Sequence, residues 1–183
     1  MSALKKSDNT LSCVPAFANV SKSVGFSCAY ANPSSGTLAV RLAGSALNSG
    51  NSAATACDSA GRAVALSFNA NGVASATLQY ADVGQVTLAT RYAGAAGGSE
   101  AGLVMTGSDS FIAAPASFTI GGITSGPIKA GAAFSTTVSA GNAAAAMSPN
   151  FGRETAADPG RAVASGQQPE RGRGAEPGQQ HRH

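Results

Sequence analysis

Apolar and polar residues alternate along much of this chain in short runs, interrupted by Gly, Pro, Asn and Ser. A period of two is the mark of a half-buried β-strand, because successive side chains point to opposite faces of a sheet. The run Val24-Gly-Phe-Ser-Cys-Ala-Tyr30 predicts a first strand with Val24, Phe26, Cys28 and Tyr30 on one face. Asn32-Pro-Ser-Ser-Gly36 reads as a turn, with a second strand over Thr37 to Leu42. A polar loop from Ser45 to Gly61 follows, and then Arg62 to Phe68 alternates with Val64, Leu66 and Phe68 pointing one way.

Asn69-Ala-Asn-Gly72 is the strongest local turn signal, since Asn71-Gly72 tolerates positive φ between two alternating runs. It predicts a β-hairpin whose arms, 64–68 and 73–78, ladder together, with Ala74, Ala76, Leu78 and Tyr80 on one face. Val86, Leu88, Thr90 and Tyr92 supply the next inward face, so Leu66, Phe68, Leu78, Val86 and Leu88 are the expected core. Asp82-Val-Gly84 between these strands is similar to the E–F corner of immunoglobulin-like domains. The corner tyrosine is replaced by Val86. Gly94 to Gly98 reads as a hairpin tip, and Leu103 to Thr106 with Ser110 to Ala113 completes the sandwich.

Ala114-Pro115 reads as a short stiff linker, because Pro fixes its own φ and restricts the residue before it. Ser117 to Ile120 and Phe134 to Ala140 begin a second unit. Its two or three strands are too few to close a sandwich alone, which leaves Phe118, Ile120, Phe134 and Val138 partly uncovered. From Arg153 to His183 large apolar residues vanish and Gly, Pro, Gln and Arg rise. Such a segment cannot offset its ordering entropy and is expected to be disordered. The abrupt change also reads as out-of-frame translation. The expected architecture is therefore all-β: an N-terminal extension (1–11), an immunoglobulin-like β-sandwich (12–113), an incomplete second sandwich (116–152) and a disordered C-terminal tail (153–183).

Composition narrows the function classes. The chain has 183 residues, 12 basic and 9 acidic, and no Trp. A net charge of +3 without a basic stripe argues against a nucleic-acid partner. The tail's Arg171-Gly-Arg-Gly174 resembles a piece of an RNA-binding segment, but residues 153–183 carry five Arg against four acids. No run of about 18 apolar residues exists to cross a membrane as a helix. Met1-Ser-Ala-Leu-Lys-Lys is followed by Ser7-Asp-Asn-Thr, with no apolar run where a signal peptide would carry one. The chain thus reads as a fragment of an exported protein.

Three cysteines, Cys13, Cys28 and Cys57, include no Cys-x-x-Cys pair, and the only histidines are His181 and His183, so a zinc site lacks ligands at usable spacing. In an exported protein two of the cysteines could form a disulfide with one left over, the equal alternative being three buried, reduced thiols; for a disulfide, Cys28–Cys57 is favoured with Cys13 free, and Cys13–Cys28 is the competitor. Asp58, Asp82, Glu100 and Asp109 are spread over loops, where turn-forming roles explain them better than a paired-carboxylate site. Calcium at the linker would have Asp109 as its only nearby acid. Gly94-Ala-Ala-Gly-Gly-Ser lacks the Gly-Lys-Ser/Thr ending of a phosphate loop, and no serine sits in a Gly-x-Ser-x-Gly context. Asn19-Val-Ser21 matches a glycosylation sequon, a pattern short enough to arise by chance. No catalytic, cofactor or metal residues are assigned, and the chain is expected not to be an enzyme.

Three strings carry a resemblance: Val24-Gly-Phe-Ser-Cys-Ala-Tyr-Ala-Asn-Pro-Ser-Ser-Gly-Thr37, Leu78-Gln-Tyr-Ala-Asp-Val-Gly84 and Gly107-Ser-Asp-Ser-Phe-Ile-Ala-Ala-Pro115. They resemble the long domain of unknown function in the large MshQ-type proteins, which are associated with biogenesis of the mannose-sensitive haemagglutinin (MSHA) type IV pilus. Lys129 to Gly152 is similar to the next immunoglobulin-like repeat there, so the resemblance spans roughly residues 3–152. It implies a structural or adhesion-related module at the cell surface. Its partners would be other domains of the same protein or pilus components. A carbohydrate-binding β-sandwich is the alternative, and an exposed aromatic platform would discriminate it.

Overall fold

A computed structural model of the chain describes residues 4–6 and 13–155. All its regular structure is β: β1 (Leu4–Lys6), β2 (Cys13–Pro15), β3 (Val20–Asn32), β4 (Arg41–Leu42), β5 (Ser45–Ala46), β6 (Arg62–Phe68), β7 (Leu78–Gln79), β8 (Gly84–Ala93), β9 (Val104–Ala113), β10 (Ser117–Gly121) and β11 (Thr137–Gly141). Every pairing is antiparallel. The two facing sheets of the sandwich are four-stranded, β6-β3-β8-β9, and three-stranded, β5-β4-β7. β10 and β11 form a separate two-stranded ribbon, and β1 pairs with β2.

The long strands are those whose sequences alternate most cleanly. In β3, Val24 and Cys28 are buried with Phe26 and Tyr30 half-buried; in β6, Val64, Leu66 and Phe68 are buried between exposed neighbours. Val86 and Tyr92 of β8 complete that inner face, and Leu42 of β4 joins Val40, Leu47 and Ala74 from the neighbouring connections in the same core. Phe17 closes one end, meeting Phe68 edge-to-face at 5.1 Å and Tyr92 at 4.9 Å between ring centroids. Such aromatic contacts add to area burial. The outer face of the large sheet is small and polar, with hydroxyl pairs Ser21–Ser67 and Thr87–Ser110 both at 2.9 Å.

The expected 64–68/73–78 hairpin does not form as a ladder. Asn69–Val73 is a tight turn: Asn69 Oδ1 accepts from the Asn71 and Val73 amides, and the Gly72 N–H donates to the Asn69 carbonyl. Gly72 takes φ 70° there. The chain then crosses to the other sheet, where Leu78 and Gln79 pair with Leu42 and Arg41. The small residues 74–77 bring little side-chain area to hold a second arm on β6, whereas the crossing closes the sandwich. Leu78 is consequently 38% exposed and leaves the expected core; Ala76 is exposed too. Leu88 is only half-buried, packed against the core's edge.

The segment read as a polar loop, Ser45 to Gly61, begins with β5 and the fully buried pair Leu47 and Asn48. Ala43 and Gly44 both take positive φ, 48° and 83°, which is the two-residue turn whose twist suits a hairpin. Alanine at a position that favours Gly or Asn hid that turn. The second strand is likewise shorter than Thr37 to Leu42, and Phe134 precedes β11 rather than opening it.

Candidate functional site

Two places gather side chains that general packing does not explain: the disulfide corner and the junction where residues after β11 return to the sandwich. At the corner Cys28, facing inward from β3, is bonded to Cys57, with Cα atoms 5.4 Å apart. The 47–61 loop can reach back because Asn48 organises it. The Asn48 amide donates to the carbonyls of Ser52, Thr55 and Ala56, and its Oδ1 accepts from the Ser52 N–H. Tyr30 clamps the corner, donating to the Leu38 carbonyl at 2.7 Å and accepting from the Cys57 N–H at 2.9 Å. Burial, opposed by the Cys57 hydrogen bond, pushes the Tyr30 hydroxyl above its usual pKa. Gly36 is required beside it, because a Cβ there would lie 2.5 Å from the Tyr30 ring.

At the junction Asp82 is 3% exposed and Asn150 is fully buried. Asp82 Oδ1 accepts from its neighbour Val83 at 2.9 Å and from the Asn150 N–H at 3.0 Å. The Asn150 side-chain amide donates to the Tyr80 hydroxyl at 3.5 Å, and that of Asn142 donates to the Ala81 carbonyl at 2.8 Å. Asn142 heads the same five-residue turn as Asn69: its Oδ1 accepts from Ala144 and Ala146, and Ala145 takes φ 58°. The Asp-x-Gly corner fits this place because Gly84 runs at φ 117° with a Cβ position 2.5 Å from the Asn32 carbonyl oxygen. Burial, then the negative charge of Asp82, raises the Tyr80 pKa far above the usual phenol value. Thr155 is tied to Asn32 through its N–H and carbonyl. Residues 156–183, the body of the expected disordered and out-of-frame tail, lie outside the described residues, as do the tail's RNA-like motif and both histidines.

The four acids singled out in the sequence stay apart. Asp58 accepts from the Ser49 N–H, the Ser49 hydroxyl and the Gly61 N–H, which hold its carboxyl below the usual range. Glu100 joins Lys22 at 2.6 Å and accepts from the Tyr92 hydroxyl, pinning the loop between β8 and β9; Lys22 also lies over the Phe17 ring at 5.4 Å. The hydrogen bond from Lys22 is the main reason the Glu100 pKa is lowered. Asp109 is exposed and accepts from Ser110. No group of three or more His, Cys, Asp or Glu side chains converges among the described residues. Cys13 lies in β2, and nothing further is described of it.

Beyond the junction, the β10–β11 ribbon and its flanking loops expose Phe118 (56%), Ile120 (68%), Ile123 (55%), Phe134 (55%) and Val138 (55%). Phe118 has one aromatic neighbour, Phe151, at 5.4 Å. The tyrosines, by contrast, are buried or half-buried, so the exposed rings among the described residues are Phe118 and Phe134. No helix among the described residues is long and apolar enough to cross a membrane.

The Asp-x-Gly corner and the two facing antiparallel sheets agree with what comparison with known proteins finds. A family model described as a domain of unknown function, DUF6701, first Ig-like domain, matches residues 1–108. The chain belongs to the DUF6701 family. That match places an immunoglobulin-like domain on the region that holds the sandwich strands β3–β8. Searches of curated proteins and of solved structures gave no match.

Proposed function

We propose that this chain is a non-enzymatic structural or adhesion-related module of an exported, pilus-associated bacterial surface protein of the MshQ type. The observation that carries the reading is the Cys28–Cys57 disulfide inside a DUF6701 immunoglobulin-like domain. Disulfides persist in oxidising compartments, which favours a place at the cell surface or outside the cell. Asp58, Asp109 and one oxygen of Asp82 serve local backbone bonding and Glu100 pairs with Lys22, which suits a scaffold. The exposed apolar residues of the β10–β11 ribbon suit burial against another domain of the same protein or a pilus component. The resemblance of Val24–Thr37, Leu78–Gly84 and Gly107–Pro115 to MshQ-type sequences supports the narrower assignment.

The test is direct. Oxidised, purified chain is sedimented with isolated MSHA-type pili, applied to a glycan array and incubated with a broad panel of hydrolase substrates. The proposal expects co-sedimentation and no turnover. Turnover proportional to protein concentration would overturn the non-enzymatic reading, and saturable glycan binding would favour a carbohydrate-binding sandwich with Phe118 or Phe134 as its ring.

A further inference from the structure

β9 is an edge strand with a single guard. It is 10 residues long, runs against β8 without a bulge, and contains no Pro, Lys or Arg. No strand among the described residues pairs with its other side. The ladder fixes which backbone groups are left over. The Gly94 N–H donates to the Leu103 carbonyl at 2.8 Å, one step beyond the Ala93–Val104 pair, so the odd-numbered residues of β9 bond to β8. By the alternation of antiparallel pairs, the even-numbered residues from Val104 to Ile112 turn their N–H and C=O groups outward. An edge of that kind is a template for a further strand. Its one guard is Asp109, whose Oδ1 accepts from the outward Ser110 N–H at 2.8 Å.

The residues of the edge decide which strand fits it. Val104-Met-Thr-Gly-Ser-Asp-Ser-Phe-Ile112 reads alike in chemical class from either end, about Ser108. Turned antiparallel on a second copy about that residue, Val104 meets Ile112, Met105 meets Phe111, Thr106 meets Ser110 and Gly107 meets Asp109. Matched apolar and hydroxyl pairs directly opposite each other stabilise a sheet, and like charges directly opposite destabilise it. The register covers the two most exposed apolar side chains of the strand, Val104 (56%) and Ile112 (52%), with each other at both ends. It sets each Asp109 opposite a glycine, with the two aspartates on a diagonal about 7–8 Å apart. Centring on Asp109 would put the two carboxylates face to face, and centring on Gly107 would carry Ile112 past the end of the partner strand. The chosen register also joins the outward even-numbered groups, Ser108 with its own copy in the middle. We infer that the β9 edge is a self-docking surface. A second copy of this chain adds its β9 antiparallel, and the two four-stranded sheets become one across a two-fold axis at Ser108. Asp109 must release the Ser110 amide for this, which keeps the contact weak and reversible.

The experiment uses the whole oxidised chain carrying Phe118→Ala and Phe134→Ala, so that association through the exposed ribbon is removed. Sedimentation equilibrium from about 10 μM to about 1 mM, the range of a small transient interface, should show a monomer–dimer equilibrium. Ser108→Pro removes an outward N–H without touching the ladder to β8, and should raise the dimer Kd at least about tenfold. Ser108→Lys sets two ammonium groups opposite each other and should do the same, even if the proline variant does not fold. Register is read by cross-linking in a Cys13→Ser background. Ser108→Cys should oxidise to a covalent dimer, because Cα atoms of a hydrogen-bonded pair lie about 5.5 Å apart, within disulfide reach. Thr106→Cys should not, since its two copies are offset by four residues, about 14 Å along the strands. A chain that stays monomeric at about 1 mM overturns the inference. So does a dimer that both Ser108 variants leave intact, or one in which Thr106→Cys cross-links as readily as Ser108→Cys.

Discussion

Phe68 and Phe118 occupy the same kind of position, an apolar residue in an alternating run on a β-strand, yet Phe68 is 3% exposed and Phe118 56%. The strands differ in what lies across from them. Phe68 faces Phe17 and the three-stranded sheet, while among the described residues β10 pairs only with β11 and has Phe151 against one ring. Alternation sets the face a residue takes; a second layer decides whether that face is buried. Energy therefore concentrates in the sandwich, and available surface concentrates in the ribbon.

The sharpest way to break this comparison is to cut the same side chain in both places. Phe68→Ala should cost about 3–5 kcal/mol in urea unfolding. Phe118→Ala and Phe134→Ala should stay within about 0.5 kcal/mol while lowering self-association and dye binding, because they remove exposed area. Equal losses at Phe68 and Phe134 would mean the ribbon is covered after all.

The disulfide comes next. It joins residues 29 apart, and the chain-entropy model gives such a closure about 3–4 kcal/mol. Cys28→Ala/Cys57→Ala, compared with wild type under oxidising conditions, should lower the sandwich's unfolding free energy by that amount. Amide protection in β10 and β11 should change little. A variant as stable as wild type would show that Asn48 and Tyr30 hold the corner unaided.

A smaller loss is expected where ribbon and sandwich are tied. Asn142→Ala removes the donor to Ala81 and the acceptor for two turn amides, worth about 1–2 kcal/mol. Limited proteolysis should then cut between 116 and 155 sooner than in wild type, with the sandwich left intact. The smallest effects are those of pH. Tyr80 has a raised pKa when folded, so its contribution is complete below the unfolded phenol value of about 10 and falls away as pH rises beyond it. Asp58 and Glu100 have lowered pKa values, so theirs is present above about pH 4 and is lost as pH falls. Melting temperature should decline at both ends, and Asp58→Asn should flatten the acid limb.

Where the sequence alternated with large β-branched or aromatic residues, the strand and its buried face were legible: β3, β6 and β8 follow it closely, as does the exposed face of the ribbon. It failed where backbone chemistry ruled. Ala43 in a positive-φ turn gives no signal, so β5 and the buried Leu47 passed for loop. Asn71-Gly72 gave a turn signal that was real, but nothing in 74–77 told that the chain would leave β6 for β4. The junction was invisible for another reason. Asp82 and Asn150 are 68 residues apart in sequence, and each alone reads as an ordinary turn residue. The Cys28–Cys57 pairing could be favoured from the inward phase of Cys28 and the length of the loop, while Tyr30's double hydrogen bond, which positions Cys57, needed coordinates.

One measurement bears on the contrast most directly: residue-resolved amide hydrogen exchange of the oxidised chain. The account predicts the slowest exchange in β3 and β8, paired on both edges in the sandwich, and exchange orders of magnitude faster in β10 and β11. Equal protection in the ribbon and in β3 would contradict it, showing a second covered core where the structure places an open surface.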